Sequence, residues 1–131
     1  MIDKCAIATT AHEYLAAGED HWTKNDLVKV PGDEMGVGDE ASAYKLFYTM
    51  ADPYPVCLVG SFVYACWKHG VPVANEENAL HNDYRDLLNE LTAYVQQTTD
   101  YETSTGFNDD DSTVWQDVVK VAKGFRDKVC A

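Results

Sequence analysis

The stretch YPVCLVGSFVYACWKHG, residues 54–70, decides how this chain folds. At helical pitch from Cys57, the residues Leu58, Val59, Phe62, Val63, Ala65, Cys66, Trp67 and His69 cover about 200° of continuous apolar or amphipathic surface. Cys57, Ser61, Tyr64 and Lys68 line the narrow remainder, with Gly60 beside them. A helix enclosed on so many sides belongs at the centre of a domain. Glycine inside a helix costs about 1 kcal/mol relative to alanine, so Gly60 implies close packing. The small pair Gly60–Ser61 leaves room for another segment of chain to approach Cys57.

Outward from this helix, two further segments carry clean stripes. In ALHNDYRDLLNELTAYVQQ, Leu80, Tyr84, Leu87, Leu88, Leu91, Tyr94 and Val95 fall within about 120°. In STVWQDVVKVAKGFRDKV, Val114, Trp115, Val118, Val119, Val121, Ala122, Phe125 and Val129 form an arc of about 160°, with lysines opposite. Thr113 and Gln116 have the spacing of a capping box, which starts the last helix near Thr113. A first helix from Asp3 to Ala17 is expected to stop at a left-handed Gly18. Its stripe is untidy. Leu27–Val30 is β-prone and followed by turn residues, so a small hairpin or irregular loop fits. ASAYKLFYTMA reads as a helix capped by Asp39. TTDYETSTGFNDDDS, before the last helix, reads as a loop. The expected class is mainly α: one domain over residues 1–131, a bundle of four to five helices with at most a small β-hairpin.

Composition bounds the function. No run of about 18 apolar residues exists, and the N-terminus lacks a signal peptide's apolar core, so a cytoplasmic protein is expected with no membrane partner. The four cysteines, Cys5, Cys57, Cys66 and Cys130, are widely spread and are expected to be free thiols. The net charge is −12, and residues 69–119 hold eleven acids against one base. Phosphate neutralisation needs clustered Lys and Arg, so direct nucleic-acid binding is disfavoured. A solubilising face, or a surface that steers toward a basic partner, is the natural use of such charge.

Chemistry-bearing patterns are few. A thiol in the first turn of a helix feels the positive dipole end, which lowers its pKa. Cys57 is therefore the candidate nucleophile, and the order Cys57, His81, Asn108 parallels that of papain-like hydrolases. A packing thiol is the commoner use of such a cysteine. Cys66 and His69 could supply two metal ligands, but no second pair accompanies them. NDDDSTVWQD lacks the central glycine and terminal glutamate of a calcium loop. No cofactor motif is present, and neither metal nor cofactor is expected.

Three fragments taken together resemble a known family: Trp22 in EDHWTK, Cys57–Ser61 in CLVGS, and Phe107-Asn108-Asp109 in GFNDDDSTVWQDVV. The family comprises small uncharacterised proteins common in actinobacteria and their bacteriophages. Its members show a helix, a tryptophan, a C-x-x-G-[AS] helix and an aromatic-Asn-Asp loop before a capped final helix. This chain departs from the pattern with extra residues around 41–56 and a longer, more acidic middle helix. The resemblance implies a mostly helical fold and a phage or actinobacterial setting, and supplies no activity. It also suggests that the Phe107–Asp109 loop packs over the Gly60 side of the Cys57 helix. The candidate binding residues are thus Cys57, Gly60, Ser61, Tyr64, Phe107, Asn108, Asp109, Asp110 and Asp111. Three functions compete: an acidic, non-enzymatic interaction protein with a basic protein partner, a virion or assembly component, and a small cysteine hydrolase using Cys57.

Overall fold

The computed structural model describes residues 2–32 and 36–131, and six α-helices form among them. They are α1 (Lys4–Ala16), α2 (Glu40–Phe47), α3 (Leu58–Lys68), α4 (Asn82–Thr98), α5 (Ser104–Asp109) and α6 (Trp115–Cys130). A 3-10 turn spans Glu19–His21, and two short strands, β1 (Val28–Lys29) and β2 (Gly36–Val37), pair antiparallel with Val28 opposite Val37. Residues 33–35, between the strands, lie outside the described residues. The mainly α class holds. The helix count exceeds the expected four to five because α5 forms inside the stretch read as a loop. Its nucleus is Thr103, whose hydroxyl accepts the Gly106 N–H at 2.9 Å, while Phe107 buries against the core.

The central helix is enclosed as its pattern demands. Every residue from Leu58 to Val63 is buried, as are Ala65 and Cys66. α1 and α2 both pack on α3, and α1 also lies along α6. That double contact explains the untidy stripe of α1, because Ile7, Ala8, Ala11, Tyr14 and Leu15 serve two neighbours. On α4, Tyr84, Leu87, Leu91 and Val95 are fully buried; on α6, Val118, Val121, Ala122 and Phe125 fill the facing stripe.

Side-chain caps start several helices. Asp3 accepts the Ala6 N–H and Asp39 the Ser42 N–H, each at 3.0 Å. At α6 the Thr113–Gln116 box does not form. Val114 occupies the cap position, has no acceptor, and receives the Asp117 carboxylate on its own N–H at 3.1 Å. Thr113 is one residue too early, with its N–H given to the Asp110 carbonyl in a turn. Gly18 is likewise not left-handed: its φ of 172° is extended backbone, and α1 ends on Ala17 in ordinary helical geometry.

The thiol expectation divides. Cys57 and Cys66 are free and buried, whereas Cys5 and Cys130 form a disulfide with Cα atoms 4.8 Å apart. The cause is tertiary. The end of α1 meets the start of α6, where the Trp115 indole N–H donates to the Leu15 carbonyl at 2.9 Å, so the pair runs antiparallel and brings Cys5 beside Cys130. A cross-link spanning 125 residues restricts the unfolded chain and contributes about 2–5 kcal/mol where it forms. No helix among the described residues is long and apolar enough to cross a membrane.

The approach to α3 explains its glycine. Val56 bridges to both Trp22 and Val28, so residues before the helix act as an extra extended piece beside the hairpin. The Val56 N–H donates to the His21 carbonyl at 2.8 Å, and the Cys57 N–H to the Leu27 carbonyl at 3.2 Å. A Cβ on Gly60 would overlap that Leu27 carbonyl oxygen, which is backbone and cannot turn aside. Gly60→Ala is therefore expected to cost about 2–4 kcal/mol, with chemical denaturation as the measurement. A stability within about 0.5 kcal/mol of the parent would contradict the close approach.

Candidate functional site

The positions singled out in the sequence converge in part at the N-terminal end of α3. Cys57 is its cap: the Sγ accepts the Gly60 N–H at 3.3 Å. A second helix-end donor, the buried Leu58 N–H, goes to the Asn108 Oδ1 at 3.0 Å. The same oxygen accepts the Trp22 indole N–H at 2.8 Å. The Asn108 amide nitrogen donates to the Thr23 carbonyl at 3.0 Å and to the Asp109 Oδ1 at 2.9 Å. Asp109 in turn receives the N–H of Asn25, whose φ of 70° places it in the left-handed region. Lys24 then reaches the Asp110 carbonyl at 2.6 Å. Asn108 thus joins α3, α5 and the segment 22–25 through one fully buried carboxamide.

The expected packing of residues 107–109 is found on α3, but at its N-terminal end. The Gly60 side is covered by Leu27 instead. Ser61 is fully buried and donates its hydroxyl to the Leu58 carbonyl. Phe107 is buried against Tyr101, ring centroids 5.6 Å apart. Tyr64 belongs elsewhere: it stacks on Tyr14 at 4.1 Å and meets the edge of Phe47 at 5.4 Å. Asp110 is tied to Ser112, whose side-chain and backbone hydrogen bonds hold its carboxyl below the usual range. Asp111 stands in solvent.

Cys57 is not prepared as a nucleophile. Burial pushes its thiol up to about 12, and the opposing pull of the Gly60 N–H is smaller. The helix dipole is expected to lower this pKa; desolvation wins because Cys57 is only 4% exposed. No described histidine bonds to it. His81 is exposed at the start of α4, His69 meets the Thr10 hydroxyl at 2.7 Å, and His21 meets the Tyr14 carbonyl at 2.9 Å. His12 faces Arg126 at 3.2 Å, and burial followed by that guanidinium lowers its pKa. Asn108, the third member of the hydrolase order, spends its carboxamide on the fold. The cavity beside Cys57, about 100 Å3 and lined by Leu27, Thr105 and Asp109 among others, is small. No group of three or more His, Cys, Asp or Glu side chains suited to a metal occurs among the described residues.

Sequence reasoning missed the role of Trp22 as a hydrogen-bond partner of Asn108, although both stood in the quoted fragments. It also missed Tyr94, Tyr101 and Lys120, which line an open cleft between α4 and α6. The available signal was Tyr94, an aromatic residue of the α4 stripe; Tyr101 and Lys120 lie in neither stripe.

Two measurements check this site. Asn108→Asp keeps an acceptor for Leu58 and Trp22 but loses the donor to Thr23 and sets a carboxylate beside Asp109. It is expected to destabilise by about 3 kcal/mol or more, read by denaturation. A near-neutral result would refute the hub. The second is alkylation at pH 8 followed by mass analysis. Cys57 and Cys66 should stay unmodified in the native protein and react once it is unfolded. Both thiols are pushed by burial from 9.0 to about 12, so between those values only the unfolded chain ionises. Stability should therefore fall as pH rises through that window and be insensitive to these groups below it.

Residues 5–124 match the sequence pattern described as a family of unknown function (DUF6197), which spans all three fragments that meet at Asn108. The end of α6, with Cys130, lies beyond the matched residues. Neither a curated protein nor a solved structure matches the chain. The match covers most of the chain, and this protein belongs to that family of unknown function.

Proposed function

We propose that this chain is a non-enzymatic interaction protein, encoded by a bacteriophage or its actinobacterial host, that presents an acidic surface to a protein partner with a basic face. The observation that carries this reading is the placement of charge. Residues 69–119 hold eleven acids and one base, and eight of those acids are exposed. Within this block Glu90 is paired with Lys4 at 2.9 Å. Like charges gathered on a surface repel each other, and the repulsion is offset when a basic partner docks. The buried, protonated state of Cys57 supports a binding role over the hydrolase alternative, since the thiolate is the nucleophile.

A second reading, a component of the virus particle, is favoured by the Cys5–Cys130 disulfide. Such bonds persist on virion and cell surfaces and are scarce in a reducing cytosol. Mass analysis of purified particles separates the two, since a virion component is recovered with its disulfide intact.

The test of the binding reading starts with capture of the partner from host lysate. Affinity for the captured partner should fall at least about tenfold between about 50 and 500 mM salt. Neutralising Glu102 and Asp111 (Glu102→Gln, Asp111→Asn) should weaken the low-salt affinity and flatten the salt dependence. Association indifferent to both salt and these substitutions would overturn the acidic surface as the contact.

A further inference from the structure

Between the C-terminal end of α4 and the first half of α6 lies an open cleft of about 310 Å3. Its floor is apolar, built from Phe107 and Val121, both buried. Tyr94 and Tyr101 also line it. The hydroxyl of Tyr94 rests against Gly124, where any Cβ would overlap it, and its ring meets Phe125 at 5.9 Å. Tyr101 is braced edge-on against Phe107. The two rings are therefore held in place before any ligand arrives.

The rim is rich in acceptors. Thr98 and Thr99 give their hydroxyl protons to the Tyr94 and Val95 carbonyls; the Thr99 oxygen also accepts the Tyr101 N–H at 3.2 Å, while the exposed Thr98 oxygen keeps its lone pairs. The last turn of α4 has no basic residue, so the negative end of that helix is not offset by its own side chains. Asp100 and Asp117 add carboxylates; Lys120 is the one cation among the lining residues, and the Lys128 ammonium stands 5.9 Å from the centroid of the Tyr94 ring. Acceptors beside aromatic rings favour a flat cation with several donors. A guanidinium meets that description, because it stacks on aromatic rings and presents five N–H groups in one plane.

We infer that this cleft receives an arginine side chain presented by the protein partner, as the anchoring contact of the acidic surface. The inference rests on the proposed binding role and gives it a specific point of attachment. Lys120 competes with the incoming charge and tunes the affinity downward.

The test uses the whole protein, isotopically labelled, titrated with a capped Gly-Arg-Gly peptide and with the same peptide carrying neutral citrulline. The arginine peptide should shift the backbone amides of residues 98–101 and 117–121, and the citrulline peptide should not. Asp100→Asn should weaken binding by about threefold and Lys120→Gln should strengthen it by a similar factor, both positions being exposed and tolerant of change. Equal shifts from citrulline, shifts confined to other residues, or affinities unmoved by both substitutions would overturn the assignment. Because the peptide reads the cleft alone, peptide binding alongside salt-insensitive partner capture would sink the acidic-surface reading and leave the cleft standing. The reverse pattern would sink only the cleft.

Discussion

The carboxamide of Asn108 sits where three separate parts of the chain meet. Its oxygen takes two N–H groups, one from the first residue of α3 and one from the Trp22 indole; its nitrogen gives two hydrogen bonds, to Thr23 and Asp109. An asparagine is suited to this because one planar group supplies both donor and acceptor without charge. A carboxylate could not donate, and an aliphatic residue would leave the buried Leu58 N–H and indole N–H unpaired, at about 1–3 kcal/mol each. Removing this group would loosen α5 and the segment 22–25 from the central helix together.

Around that point the central helix is built by exclusion of water. Cys57 closes the helix end with sulfur, a weak acceptor, and so tolerates complete burial better than an ionised cap would. The Leu27 carbonyl can accept the Cys57 N–H only because Gly60 has no side chain. Cysteine and glycine three residues apart are therefore one structural device: a dry cap and a gap for a neighbouring backbone. The same burial that makes the cap possible holds the thiol protonated and withdraws it from chemistry.

The proposed contact surface lies on α4, the start of α6 and the loops beside them rather than at the hub. The acids of residues 69–119 are largely exposed, and the cleft lined by Tyr94 and Tyr101 also carries Asp100 and Asp117. The hub fixes α5, and Phe107 on α5 forms the cleft floor, so the buried network supports the exposed surface mechanically.

Much of the architecture was legible from residue order. Periodicity placed α3, α4 and α6 and picked out Leu58, Phe62, Tyr84, Leu91, Val118 and Phe125, because a helical stripe is a local property that burial merely completes. Asp39 announced α2 for the same reason, since a cap acts within three residues. The sequence alone also established the sign and the uneven distribution of charge. What it could not contain were facts that exist only between distant segments. α5 is six residues long, too short to stand by itself, and is held by the docking of Asn108. The Cys5–Cys130 bond follows from the antiparallel meeting of α1 and α6, and the raised pKa of Cys57 from desolvation by neighbours far along the chain. Local chemistry determined which elements form; burial and long-range hydrogen bonding decided what each residue in them is free to do.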